Sequence, residues 1–131
     1  MRKDISNIKV LIVDDNFVNR RVLNYALLKY KIKTDEAENG LIALEKYKNN
    51  NYDLILMDIM MPEMDGLEAT SKIRDFEKTT GISPAIIVAI SANFQDEDRD
   101  EYMSHGLNKI FKKPVDFKEL DKYLRQYFEI K

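Results

Sequence analysis

Three aspartates, one serine and a pair of lysines are the residues whose types and placement could do chemistry together. Asp14 and Asp15 follow the apolar run Val10-Leu11-Ile12-Val13, and Asp58 follows Leu54-Ile55-Leu56-Met57. Ser91 follows the longer run from Ala85 to Ile90, and Lys112-Lys113 stand immediately before Pro114. Three carboxylates brought together repel one another, and desolvation adds to that cost, so something cationic belongs with them. A hard divalent ion fits oxygen ligands, and Mg2+ in particular binds through one or two carboxylates, waters and phosphate oxygens. Lys113 offers a second cation. A carboxylate beside Mg2+, a lysine and a hydroxyl donor is a set suited to phosphoryl transfer. Metal and lysine neutralise the equatorial oxygens, the hydroxyl donates a hydrogen bond, and a carboxylate attacks in line. Asp14 and Asp15 are adjacent and can share a metal. Asp58 stands alone and is the natural acceptor.

This convergence requires that the apolar runs lie side by side with their carboxyl ends together. The three runs are continuous rather than alternating, as suits strands buried on both faces of a parallel sheet. Weaker strands are expected at Lys33–Ala37 and Lys109–Lys112, nearer the sheet edges. Between them lie helical periodicities. Val18, Val22, Ala26, Leu27 and Tyr30 mark a first helix with Asn16 placed to cap it; Leu41, Leu44 and Tyr47 mark a second; Leu67, Thr70, Ile73 and Phe76 mark a third. Charges dominate Asp96–His105, where only Tyr102 and Met103 offer anchors. Phe117, Leu120, Leu124, Tyr127 and Phe128 mark the last helix. A β-α alternation repeated five times predicts an open, doubly wound parallel α/β sheet with right-handed crossovers and helices on both faces. Ligands of such sheets bind outside the carboxyl ends of the strands, where these side chains fall.

Composition narrows the function classes. The 131 residues carry 21 Lys plus Arg against 23 Asp plus Glu, and this near-neutral, interspersed charge offers no footprint for nucleic acid or an anionic membrane. With no cysteine, thiolate metal sites, disulfides and cysteine nucleophiles are excluded. The longest apolar run is far short of the ~20 residues that span a bilayer. Met1, Arg2 and Lys3 lead into polar residues rather than a secretory apolar segment, so a cytoplasmic location is expected. A (βα)8 barrel would need about 250 residues and is ruled out by length.

The segments Ile12-Val13-Asp14-Asp15-Asn16, Leu56 to Gly66 with Asp58 and Pro62 inside it, Ser91-Ala92 and Lys113-Pro114 together closely resemble the receiver domain of two-component response regulators. Each element is weak alone; in this order and spacing they form a strong signal. The resemblance implies one receiver domain over residues 1–131, with a core of about 9–128 and a flavodoxin-like five-stranded sheet of order 2-1-3-4-5. It implies that Asp58 accepts a phosphoryl group from a phosphohistidine on a sensor histidine kinase or a histidine phosphotransfer protein. Asp15, Asp58 and the backbone carbonyl of Met60 would ligate Mg2+, with Asp14 acting largely through water. Ser91 would hydrogen-bond the phosphoryl oxygen, Lys113 would pair with it, and the Lys113-Pro114 bond would be cis. Phosphorylation would then shift the surface around the fourth helix, fifth strand and fifth helix. A downstream effector or a homodimer through the last helix would read that shift. Such a domain catalyses only its own phosphorylation and slow dephosphorylation. The stretches Asp15–Arg20 and Met64–Thr70 resemble receivers attached to hybrid histidine kinases. One position departs from the pattern: Ile110 stands where the family usually carries an aromatic, and Phe111 beside it should point to the other face of its strand.

Each group also has a plainer reading. Paired aspartates after a strand are commonly a solvated loop or a helix cap, and a serine or lysine there is commonly surface. His105, before Gly106, reads as a helix end. The acidic run Asp96–Glu101 reads as a solvated helix start, and the methionines around Asp58 read as core filling. Two other functions compete. A Mg2+-dependent aspartyl-phosphate phosphohydrolase usually places an acid two residues after its nucleophile, where this chain has Met60. A receiver-like interaction module without phosphotransfer would be favoured by loss of an acidic residue, and none is lost.

Overall fold

The computed structural model describes residues 2–131, so Met1, the first residue of the expected domain, lies outside the described residues. In chain order the elements are β1 (Lys3–Asp4), β2 (Lys9–Val13), α1 (Phe17–Leu27), β3 (Lys33–Ala37), α2 (Gly40–Asn49), β4 (Leu54–Asp58), α3 (Gly66–Thr80), β5 (Ile86–Ser91), α4 (Arg99–Ser104), β6 (Lys109–Lys112), α5 (Phe117–Leu124) and β7 (Phe128–Glu129). Five strands form one parallel sheet in the order β3-β2-β4-β5-β6, which is 2-1-3-4-5 counted along that sheet. The two strands with weak apolar patterns, β3 and β6, are its edges, where half their surface needs no burial.

The three central strands are buried on both faces, and their side chains alternate between two cores. Leu11, Val13, Ile55, Met57, Ile87 and Ala89 face one way, against Ala43 and Tyr47 of α2 and Ala69 and Ile73 of α3. Val10, Ile12, Leu54, Leu56, Val88 and Ile90 face the other, against Leu23 and Leu27 of α1 and Leu120 and Leu124 of α5. Asn16, Asn39 and Asp65 cap α1, α2 and α3, each accepting a backbone N–H three residues on, and each such cap is worth about 0.5–2 kcal/mol.

Several helix readings need correction. On α1 the inward stripe is Leu23 and Leu27, continued by Tyr30 in a 3-10 turn over Leu28–Tyr30; Val18 and Val22 are exposed. The α1 pattern is apolar on two sides, and periodicity cannot choose between them. On α2, Leu41 is exposed and Ala43 takes the core position. The last helix stops at Leu124, and Phe128 lies instead in β7, paired in parallel with β1 (Lys3↔Phe128, Asp4↔Glu129). Phe128 is still buried, so the apolar pattern found the core contact and mistook its backbone. The charged stretch Asp96–His105 becomes a 3-10 turn (Asp96–Asp98) and the six-residue α4, neither containing a fully buried side chain. Among the described residues no helix is long and apolar enough to cross a membrane.

Candidate functional site

β2 and β4 are neighbours, and the chain turns outward from them in opposite directions, which opens a crevice at their carboxyl ends. Asp14 and Asp15 leave β2 into that crevice, and Asp58 is the last residue of β4. Each of the three offers a carboxylate oxygen within 4.8 Å of the others; Asp14 and Asp58 are buried and Asp15 is exposed. Lys113 Nζ reaches in from beyond β6, 3.3 Å from Asp14 Oδ2 and 3.2 Å from Asp58 Oδ1. The Lys113-Pro114 peptide bond is cis, and the Lys113 backbone N–H donates to the Ser91 carbonyl at 3.0 Å.

The electrostatics follow from burial. Desolvation pushes the Asp58 carboxyl above the usual carboxylate range, Asp14 adds to that push, and Lys113 pulls against both. Burial disfavours the Lys113 ammonium, yet the Asp58 and Asp14 carboxylates outweigh it and raise the lysine above its ordinary value. Asp14 is held from two further sides. The Asn16 backbone N–H donates to Asp14 Oδ1 at 2.9 Å, and Arg20 Nη1 donates to the Asp14 carbonyl at 2.7 Å while its Nε pairs with Glu36 at 2.9 Å.

Ser91, the last residue of β5, is fully buried, and its Oγ has no hydrogen-bond partner. An unsatisfied buried hydroxyl costs about 1–3 kcal/mol, so Ser91 Oγ is a donor available to an acceptor brought against this strand end. Met60 lies two residues beyond Asp58 in the loop leaving β4 and is 61% exposed. Gly66 fixes the return of that loop: its N–H donates to the Ile59 carbonyl at 2.9 Å, and a Cβ there would meet the Asp58 carbonyl oxygen at 2.3 Å. The turn beneath the site therefore accepts only glycine.

Asp14, Asp15, Asp58 and Lys113 thus meet in one crevice, and Ser91 lies buried at the end of the neighbouring strand β5; Lys112 lies apart, its ammonium 6.0 Å from the Phe94 ring. His105 plays no part in this crevice; its Nδ1 is 2.7 Å from Ser71 Oγ at the end of α4. Arg20 and Glu36 were missed because an arginine on a helix carries no pattern that distinguishes it from surface charge.

A parallel (βα)5 sheet with carboxylates, a lysine and a buried hydroxyl at its switch point defines a phosphoacceptor-type signalling module. Residues 10–125 match the response regulator receiver domain family, and the chain belongs to that family. The chain is 43% identical over 115 residues to hybrid signal transduction histidine kinase B of Dictyostelium discoideum, covering 82% of this chain but 6% of that protein. Its fold is similar, at a TM-score of 0.86 and 35% identity, to the Saccharomyces cerevisiae Ssk1 receiver domain crystallised with the histidine phosphotransfer protein Ypd1, covering 97% of this chain and 90% of that one. It is also similar, at a TM-score of 0.80 and 31% identity, to the receiver domain of a sensor histidine kinase from Pseudomonas aeruginosa with magnesium coordinated in its active-site cleft, covering 92% and 96%.

Proposed function

We propose that this receiver takes a phosphoryl group on Asp58 from the phosphohistidine of a sensor kinase or histidine phosphotransfer protein. The observation that carries the reading is the pairing of a buried, partnerless Ser91 hydroxyl with a lysine-bridged carboxylate cluster at one sheet edge. A phosphoryl group on Asp58 supplies the acceptor that Ser91 lacks and a second anion for Lys113.

The donor set also fits Mg2+. Three carboxylates face one lysine, a local excess of negative charge that a divalent ion balances. We assign its ligands as Asp15, Asp58 and the Met60 carbonyl, with Asp14 acting through water. When bound, the ion supplies positive charge against the transferring oxygens. The remaining work falls to this chain's side chains. An Asp58 carboxylate oxygen forms the new bond to phosphorus as the donor's P–N bond breaks, and that electron pair returns to the donor imidazole. Lys113 draws negative charge on the equatorial oxygens, and Ser91 Oγ donates to one of them.

The donor approaches across α1. Phe17, Val18, Val22 and Tyr25 are exposed there, and Val22 and Phe117 line a groove that runs to Asp14 and Lys113. Such an apolar rim beside a polar centre suits docking of a phosphohistidine-bearing protein. Phosphorylation would then shift the face formed by α4, β6 and α5, read by an effector or by a second copy. We assign residues 1–131 to one receiver domain acting in the cytoplasm and catalysing only its own phosphorylation and dephosphorylation.

Intact-mass measurement after incubation with Mg2+ and acetyl phosphate, or with a phosphohistidine protein, tests the reading. A single hydroxylamine-labile phosphoryl adduct is expected, absent in Asp58→Asn. An adduct that persists in Asp58→Asn refutes the assignment.

A further inference from the structure

We propose that Arg20 is a positioning residue of the acidic crevice. Its guanidinium, anchored on Glu36, braces the turn that carries Asp14 and Asp15 and so sets the affinity of the crevice for a divalent ion. This rests on Mg2+ belonging to that crevice.

The three carboxylates are not equally fixed. Asp58 is the last residue of a central strand and is still in register with Ile90 of β5. Asp14 and Asp15 lie past the last ladder pairs of β2, Val13↔Ala37 and Val13↔Met57, in the turn before α1 begins at Phe17. Repulsion among the three is relieved most easily by that turn swinging outward, and an ion then loses a preformed site. The Asp14 N–H donates to the Ala37 carbonyl at 3.1 Å, which ties only the entry of the turn. The Asn16 N–H donates to Asp14 Oδ1 at 2.9 Å, which lies within it. The Asp14 carbonyl is the remaining handle, and Arg20 Nη1 takes it at 2.7 Å.

Arg20 can hold that carbonyl because it is itself held. Its side chain is 12% exposed, and its Nε donates to Glu36 Oε1 at 2.9 Å. Glu36 lies on β3 in register with Ile12 of β2, and Lys46 of α2 donates to its backbone carbonyl. Its second carboxylate oxygen accepts from Asn24 Nδ2 at 2.8 Å, and Asn24 Oδ1 accepts from Thr34 Oγ1 at 2.6 Å. Arg21 also pairs with Glu36, and the guanidinium groups of Arg20 and Arg21 lie 5.6 and 5.5 Å from the Phe17 ring. A polar chain thus runs from Thr34 on the edge strand, through Asn24 and Glu36, to Arg20 and the Asp14 backbone.

The geometry asks for a fork. One side chain must donate in two directions, to a carboxylate on β3 and to a carbonyl beyond the end of β2. A planar guanidinium meets both, where the compact ammonium of a lysine does not. Because Glu36 balances its charge, what Arg20 brings to the crevice is placement rather than potential. Groups hydrogen-bonded behind the ligands of a metal change its affinity by about 10- to 100-fold when they are lost. Arg20 reaches the crevice only through the Asp14 backbone, so the lower end, about tenfold, is the expected scale.

Titration with Mg2+ alone, followed through the amide NMR shifts of residues 14–17, tests the brace, with urea unfolding of each variant in parallel. Arg20→Met should raise the Mg2+ dissociation constant about tenfold, and Arg20→Lys should do the same although it keeps the charge. Both leave Glu36 with Arg21 and Asn24 as partners, so the fold is kept. At saturating Mg2+, Arg20→Met should bind beryllofluoride to the wild-type level by fluorine NMR, since affinity is lost and capacity is not. Tyr47→Phe, which removes a hydrogen bond to Glu77 outside the crevice, should lower stability and leave Mg2+ affinity unchanged. Wild-type affinity in Arg20→Met or Arg20→Lys overturns the brace alone, and so does an equal loss in Tyr47→Phe. A wild type without saturable Mg2+ binding overturns the assignment of Mg2+ to the crevice as well.

Discussion

Neutralising Asp58 should stabilise the fold in chelator-treated buffer, even though it destroys the proposed function. The perturbation is Asp58→Asn, a near-isosteric change that leaves Lys113 paired with Asp14 at 3.3 Å, so no cation is orphaned. In the wild type, Lys113 attracts the Asp58 carboxylate at 3.2 Å, about 5 kcal/mol at an effective dielectric constant near 20. Asp14, within 4.8 Å, repels it by at least about 3.5 kcal/mol on the same scale, and solvent-exposed Asp15 adds about 1 kcal/mol. Attraction and repulsion nearly cancel. What remains is the desolvation of a carboxylate on a side chain that is 6% exposed, several kcal/mol for an ion and less for an amide. A net gain of about 2 kcal/mol follows. With an unfolding entropy near 2.1 cal/mol/K per residue over 131 residues, that shifts the melting temperature up by about 7 °C. Calorimetry in chelator measures it, and added Mg2+ should then raise the wild type more than Asp58→Asn, since ligation stabilises only the form that binds. A lower melting temperature for Asp58→Asn in chelator refutes this reasoning, because it would mean that Lys113 more than offsets burial and Asp14 together.

Three further outcomes follow from packing and charge elsewhere. Gly66→Ala places a Cβ 2.3 Å from the Asp58 carbonyl oxygen and 2.9 Å from Met57 Cγ; we expect a loss of about 3 kcal/mol or more in urea unfolding and failure to take up phosphoryl from acetyl phosphate. Tyr47→Phe removes the 2.6 Å hydrogen bond to the buried Glu77 carboxylate, which still accepts from the Ala85 N–H and Arg74; a loss near 1.5 kcal/mol is expected in the same assay, and no change would mean Tyr47 contributes only its ring. Asp121 accepts from the Tyr30 hydroxyl and from Arg125, which hold its carboxyl below the ordinary range. A depressed acid stabilises the fold above its unfolded value of about 3.9 and loses that contribution as pH falls through the folded value. The stability of Asp121→Asn should therefore fall less steeply than that of the wild type below about pH 4, and parallel acid profiles would show that the pair is inert.

Much of the crevice was readable because its carboxylates and the nearby serine follow buried strands, and continuous apolar runs locate those ends to within a residue or two. Asp14, Asp58 and Ser91 follow from that rule alone. Strand order and the phosphohistidine donor needed the resemblance, since apolar runs say which segments are buried and not which lie side by side. Helix faces were less legible. Val18 and Val22 made as good a stripe as Leu23 and Leu27, and only the second packs on the sheet. Glu77 gave no sign of burial, because its partners Tyr47 and the Ala85 N–H come from other elements. The β1–β7 pair was invisible for the same reason: two-residue strands have no period to detect, and their pairing depends on where α5 ends.

That pair also shapes the kinetics of folding. Lys3 and Phe128 meet across nearly the whole chain, so their contact closes one of the longest loops the sequence permits and gains only two residue pairings for it. Such a contact belongs after the folding barrier. Weakening the ribbon should accelerate unfolding while leaving the refolding arm of a chevron unmoved. The pair then acts as a clasp on a finished structure, setting how long the folded chain persists without setting how fast it forms.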